Sequence, residues 1–174
     1  MKLFICGPAR HGKDTVGEIL KTHFGLTFDS SSHFCMRHFL REILERDHGL
    51  AYDSEEDCFA DRVNHRKLWY NIIYNWNREH GNGGLTRLSR AIFQENDIYV
   101  GIRDREEFIA SKPLSDLAIW VDAQPRLTIT GQEALFADKL IQASDCDVTI
   151  RNDGTYGDLY KRVSRLAESL LVAL

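Results

Sequence analysis

The run Gly7-Pro8-Ala9-Arg10-His11-Gly12-Lys13-Asp14-Thr15 sets two glycines and a lysine between a short apolar stretch, Lys2–Cys6, and the helix-spaced residues Val16, Ile19 and Leu20. That pattern predicts a strand entering a turn at Gly7-Pro8, then a helix from about Lys13. Four residues between the glycines, with lysine directly after the second, form an arrangement whose chemistry is phosphate binding. Successive backbone N–H groups of such a loop turn inward at the positive end of the opening helix. Gly7 and Gly12 permit the unusual backbone angles and the close approach, and Lys13 reaches the β- and γ-phosphates of a nucleoside triphosphate. The expected phosphate-binding positions are Gly7, Ala9, Arg10, His11, Gly12, Lys13, Asp14 and Thr15, with Lys13 also catalytic. The His11 side chain either touches a phosphate or points to water. After the lysine stands Asp14, where the common pattern has a hydroxyl that holds Mg²⁺. A carboxylate also binds a hard cation, so Asp14 is the metal candidate, directly or through water. Its alternative role is a negative charge at a helix N-terminus, with Thr15 as a further donor.

A second carboxylate lies in Phe28-Asp29-Ser30-Ser31-Ser32-His33-Phe34. At a strand end, Asp29 is placed to take a proton from a hydroxyl nucleophile; the bland alternative is a helix cap, which Ser30 to Ser32 could supply instead. An acceptor that is already a phosphate would need arginine rather than a base. Arg62 and Arg66 (i, i+4) and Arg87 and Arg90 (i, i+3) each share a helix face and are candidates for such a contact, with Ser31. Asn64-His65-Arg66 followed by Trp69-Tyr70 offers polar and stacking groups suited to a nucleobase, although surface arginines are commonly only solvated and Trp69 could be core. The seven histidines show no H-x-x-x-H or H-E-x-x-H arrangement, and no Cys/His cluster has zinc spacing.

The elements that must position these residues alternate. Leu26–Asp29 reads as a strand, and a helix capped within Ser30–Ser32 runs to about Asp47. Another helix runs from Ser54 to before Gly81, carrying Phe59, Val63, Leu68, Trp69, Ile72 and Ile73, and a short one covers Leu85–Glu95. Strand Ile98–Val100, helix Arg105–Ser111, strand Leu117–Val121, helix Gly131–Ala143, strand Val148–Ile150 and helix Tyr156–Val172 complete the chain. Strands alternating with helices predict a parallel α/β sheet covered on both faces. With 174 residues, 43% of them hydrophobic, one domain spanning 1–174 is expected. The 12 glycines and 3 prolines exclude collagen-like and disordered classes. A formal charge of −4 exerts no global pull on polyanions. No apolar run spans a bilayer, so a cytoplasmic protein with no membrane partner is expected. The four scattered cysteines read as reduced thiols.

The Gly12-Lys13-Asp14-Thr15 run resembles the loop of the deoxynucleoside monophosphate kinases of large tailed phages, and phosphomevalonate kinases carry a related form. Asp147-Val148-Thr149-Ile150-Arg151-Asn152-Asp153-Gly154, followed by Leu159 and Val163, resembles the strand, turn and C-terminal helix of those phage kinases and of dephospho-coenzyme A kinases. Without that pairing it is simply a tight Asn-Asp-Gly turn. The resemblance implies a three-layer P-loop NTPase fold, with a five-stranded parallel sheet and an acceptor-side helical insertion over 30–96. It further implies ATP and Mg²⁺ as cofactors, with adenine beside Asn152, Asp153 and Gly154. Acceptor contacts after the second strand at Asp29 and Ser31, a phosphate contact at Arg103 and a lid arginine at Arg126 also follow from it. Such kinases often carry Asp-x-Arg after the third strand, where this chain has Gly101-Ile102-Arg103; Asp104 or Asp14 would have to replace the missing carboxylate.

The expectation is therefore an ATP-dependent kinase for a nucleotide-type acceptor, with a deoxynucleoside monophosphate first. A second version phosphorylates the hydroxymethyl group of 5-hydroxymethyluracil in phage DNA, acting in the host cytoplasm. The acidic charge opposes a long duplex footprint, although an extruded base needs fewer contacts. From another class, the chain could be a nucleotide-binding NTPase switch with no acceptor. The oligomeric state is not legible.

Overall fold

Leu3, Phe4, Ile5 and Cys6 are all buried in the first strand, β1 (Leu3–Cys6). Leu3 and Ile5 join one apolar cluster, and Phe4 and Cys6 the other, as the two-residue period of a strand requires. A strand apolar on both faces needs a covering layer on each. In the computed structural model, which describes residues 1–78, 84–124, 126–127 and 139–172, β1 is the central strand of five. The others are β2 (Phe28–Ser30), β3 (Ile98–Val100), β4 (Leu117–Asp122) and β5 (Val148–Arg151), in the order β2-β3-β1-β4-β5. All pairings are parallel, and Ile5 lies opposite Val100 on one side and Ile119 on the other.

One layer consists of α1 (Lys13–Phe24) and the last helix, α8 (Tyr156–Val172). Val16, Ile19 and Leu20 of the first meet Leu159, Val163 and Ala167 of the second over the Leu3/Ile5 face. The other layer is built between β2 and β3. It comprises α2 (Ser31–Cys35), a π-helical stretch Met36–Leu40, α3 (Arg41–His48), α4 (Glu55–Asp61), α5 (Arg66–Arg78) and α6 (Arg87–Glu95); α7 (Arg105–Ser111) follows β3. Phe4 is its hub, with ring centroids of Phe93, Tyr99 and Phe108 at 4.9, 5.5 and 5.5 Å. Sheet and two helical layers make the three-layer α/β P-loop NTPase fold.

The expected helices differ from the observed ones in four places. Ser30 caps the helix after β2 through His33 N, 3.2 Å from its Oγ, but the helix reaches His48 only by way of the π-helical stretch. The single helix expected from Ser54 is two. Asn64 Nδ2 donates to Asp61 Oδ1 at 2.6 Å, and Asn64 N donates to Asp61 O at 2.9 Å. These local bonds offer the backbone an alternative to continuing the helix. Gly84–Thr86 is a 3-10 turn before α6. Most of the Gly131–Ala143 expectation lies outside the described residues; its described end is not α-helical, since Leu140 bridges to Asp104 and Ala143–Asp145 is a 3-10 turn.

Beneath the second layer Glu107 is buried, with Tyr99 Oη donating to its Oε1 at 3.5 Å. Burial, then the nearby Asp104, raises its carboxyl to about 7, while Arg78 opposes the rise. A raised carboxyl binds more protons folded than unfolded between its ordinary value of 4.5 and about 7. Its contribution is therefore greatest below that window and declines as pH rises through it. Urea unfolding at a series of pH values should show Glu107→Gln gaining stability relative to wild type across this window, by on the order of 3 kcal/mol in total. A difference that does not change with pH would refute the assignment.

Candidate active site

The phosphate-loop sequence occupies the C-terminal end of β1, between the ends of β3 and β4, where open parallel sheets bind ligands. Gly7 has φ 139°, and a Cβ there would lie 2.5 Å from Val121 O of β4, so the chain passes closer to its neighbour than any side chain allows. Arg10, at φ 65°, is the one non-glycine residue with positive φ among the described residues, and its side chain is exposed. Gly12, φ 95°, is the N-cap of α1 and offers no side-chain cap. The first-turn amides of a helix have no acceptor within it; here they face the loop, with Ala9 and Thr15 half-buried around it and Asp14 exposed in the first turn. Lys13, 8% exposed, donates from Nζ to Pro8 O at 2.7 Å, so its ammonium bridges the two ends of the loop.

His11 differs from the expectation. Its side chain is 1% exposed, and Nδ1 accepts from Ala123 N at 2.9 Å. Only the backbone of His11 belongs to the loop concavity; the ring pins the loop to the end of β4. Asp122 Oδ1 lies 3.7 Å from the same Nδ1, but a nitrogen that accepts an amide proton carries none to share. Asn152 supplies a second pin: its N donates to Asp122 O at 2.6 Å and its Nδ2 to His11 O at 2.9 Å. A Cβ on Gly12 would come within 2.4 Å of that amide nitrogen.

The rest of the Asn-Asp-Gly turn is tied into α8. Asp153 Oδ1 accepts from Arg162 at 2.6 Å, which holds its carboxyl below the usual range. A Cβ on Gly154 would meet Asp158 Oδ2 at 2.7 Å, and that oxygen accepts from Thr155 N and Oγ1 at 3.0 and 2.7 Å. Arg126 donates to Asn152 O at 3.3 and 3.2 Å, so it reaches this turn; residues 128–138, where a lid was expected, lie outside the described residues.

Three arginines from separate parts of the chain act on one another electrostatically near the loop helix. Arg62 follows α4, Arg66 opens α5 and Arg103 follows β3. Burial, then Arg66 and Arg103, pushes the Arg62 guanidinium down, and Asp14 of the loop helix pushes it up. Four charged groups thus share one field beside the phosphate loop. Arg62 also lies over the Phe59 ring, 4.5 Å from its centroid. Arg87 and Arg90 are not part of this group. Arg87 donates to Trp76 O at 2.7 Å and stacks 3.5 Å from that indole, while exposed Arg90 donates to Thr86 Oγ1 at 3.1 Å. Trp69 is core, at 2% exposure; Tyr70 is exposed and pairs with Tyr74.

Asp29 is 5% exposed at the end of β2. Its Oδ2 accepts from Arg37, and its Oδ1 accepts from Ser30 N at 2.7 Å and lies 3.2 Å from His33 Nδ1. The Ser31 hydroxyl bonds to Tyr99 instead of joining this group. Sequence reading missed His33 and Arg37, although Asp29, His33 and Arg37 stand at i, i+4 and i+8.

The position of the missing carboxylate is explained by the backbone. Gly101 has φ 89°, a conformation costly for aspartate. Asp104 is committed elsewhere, as its Oδ1 caps α7 through Glu107 N at 2.9 Å and its Oδ2 lies 3.4 Å from Arg78. No group of three His, Cys, Asp or Glu fit to hold a metal occurs among the described residues. Magnesium held by one or two carboxylates, phosphates and waters needs no such cage, so Asp14 and Thr15 fit it.

No protein-family model and no curated protein matches the sequence. Solved structures share the fold. Dephospho-CoA kinase from Campylobacter jejuni aligns over 98% of this chain and 98% of its own at 17% identity and a TM-score of 0.56. Shikimate kinase from Acinetobacter baumannii, in complex with shikimate, aligns over 97% and 93% at 14% identity and a TM-score of 0.53. Among the described residues no helix is long and apolar enough to cross a membrane.

The Asn152 pin can be tested directly. Asn152→Ala deprives the His11 carbonyl of its donor, a loss of about 1–3 kcal/mol in urea unfolding. It should also weaken nucleoside triphosphate binding measured by calorimetry. A variant as stable and as tight as wild type would show that the loop holds itself.

Proposed function

We propose that this chain is an ATP-dependent kinase that transfers the γ-phosphate to a nucleotide-type acceptor, with a deoxynucleoside monophosphate as first candidate. The observation that carries the reading is the juxtaposition of the loop, with Lys13 across its mouth, and the Arg62–Arg66–Arg103 group facing Asp14. A nucleotide-binding switch needs the first and has no use for the second. Two anionic sites side by side are what in-line transfer between a donor and an anionic acceptor requires. Loop amides and Lys13 hold the donor phosphates, and the adenine lies against the Asn152-Asp153-Gly154 turn. Asp14 and Thr15 would hold Mg²⁺, which when bound neutralises charge on the β- and γ-oxygens. Arg103 and Arg126 stabilise the transferring group, and the helical layer over 30–96 forms the acceptor side. The fold shared with dephospho-CoA and shikimate kinases supports this reading.

One observation favours a second version. The Asp29–His33 pair is of no use to a phosphate acceptor but suits a hydroxyl, such as that of 5-hydroxymethyluracil, free or within DNA. Transfer from labelled ATP to deoxynucleoside monophosphates, hydroxymethylated nucleotides and hydroxymethyluracil-containing DNA tests both versions. Phosphate transfer to one of these is expected, abolished by Lys13→Ala. Arg62→Ala should raise the KM for the acceptor about 10- to 100-fold, as for a lost charged hydrogen bond, and leave the KM for ATP in place. ATP hydrolysis that ignores every acceptor would establish the switch instead.

A further inference from the structure

The pair at the end of β2 is built in a way that reverses the roles its residues suggest. Asp29, the obvious base, is buried, and its oxygens already meet Arg37, Ser30 N and His33. A carboxylate paired with a guanidinium only accepts, so in the 3.2 Å contact His33 Nδ1 must carry the proton. The lone pair is then on Nε2, at the far side of the ring. The His33 side chain is 47% exposed against 6% for the carboxylate behind it. Its ring meets Phe59 edge-on at 5.2 Å, and the same Phe59 carries Arg62 at 4.5 Å. The imidazole and Arg62 therefore touch one aromatic ring, and Arg62 is in turn close enough to Asp14 of the loop helix to feel its charge. The charged groups facing the imidazole are Asp29 and Arg37 from its own segment and Arg62 from the α4 side.

Resting on the kinase reading above, we propose that the acceptor atom is a hydroxyl oxygen and that His33 Nε2 is its general base, with Asp29 as the positioning residue. In the step, the hydroxyl O–H bond breaks and its proton passes to Nε2. The freed oxygen bonds to the γ-phosphorus of ATP, and the bond from that phosphorus to the β,γ-bridging oxygen breaks. ADP leaves with the electron pair. The imidazolium, paired with Asp29, returns its proton to water. Arg62 and Arg66 hold a phosphate elsewhere on the same acceptor, so the substrate class is a phosphorylated compound with a free hydroxyl, such as a hydroxymethylated nucleotide.

Two measurements test this, the first without any acceptor. Nitrogen-15 NMR of the full chain should show His33 protonated at Nδ1 and bare at Nε2, with that preference lost in Asp29→Asn; a proton resident on Nε2 overturns the proposal. The second uses 5-hydroxymethyldeoxyuridine monophosphate and thymidine monophosphate, which differ by one hydroxyl, with ATP. His33→Ala should lower kcat on the hydroxymethyl compound by about 10²- to 10⁴-fold, abolish the acid limb of the pH profile and leave ATP affinity unchanged. Added imidazole should restore part of the rate. His33→Gln, whose circular dichroism guards against misfolding, should be equally slow. Full activity in either variant, loss without rescue by imidazole, or transfer to thymidine monophosphate alone overturns the proposal. The last result leaves the kinase reading standing, whereas failure of wild type to bind ATP overturns that reading itself.

Discussion

A loop that offers amide groups to a polyanion has few left to hold its own shape, and that constraint organises the site. Within the loop after β1, His11 N and Lys13 Nζ both donate to Pro8 O, and further pins come from outside. Gly7 passes so close to Val121 that no side chain fits, the His11 ring accepts the Ala123 amide, and the Asn152 side chain donates to the His11 carbonyl. All three pins come from the β4 and β5 side of the sheet, which leaves the β3 side open. The arginines and the Asp29–His33 pair gather on that open side. On the proposed kinase reading, donor and acceptor sites would be separated by which neighbour of β1 holds the loop and which does not.

The cationic group shows how an acidic chain can present a local positive field. The formal charge is −4, yet Arg62 lies among Arg66, Arg103 and a half-buried aromatic ring, where bringing like charges together is unfavourable without an anion. Asp14 compensates in part. Removing such charges from water and bringing them together costs stability, and on the proposed reading a bound phosphate would offset that cost.

Much of this was legible in the sequence, for identifiable reasons. The loop was readable because phosphate binding fixes both glycine spacing and lysine position, and the three inner strands because each is apolar on both faces. The end helices agree with their apolar spacing. The middle was read less well because apolar periodicity does not register local competition: Asp61 and Asn64 end a helix that Phe59, Leu68 and Ile72 would have continued. Which arginines converge was also hidden. Arg62 and Arg66 look no different from Arg87 and Arg90 until the packing of α5 turns Arg87 onto Trp76. His11 looked like a loop side chain, and only the arrangement of β4 beside β1 shows it as an anchor. His33 and Arg37 were visible at helical spacing from Asp29, but the serines between them drew attention to capping.

The π-helical stretch Met36–Leu40 carries one residue more than an α-helical turn would need for the same path. Arg37 within it faces the Asp29 carboxylate, while Leu40 at its end and Leu44 beyond it face the core. Were the stretch to take regular α-helical geometry with every residue kept, one part would turn against the other by about 100°. The charge pair or the apolar seam would then fall out of phase. The wider turn of the stretch is thus as much a part of the site as the identity of its residues.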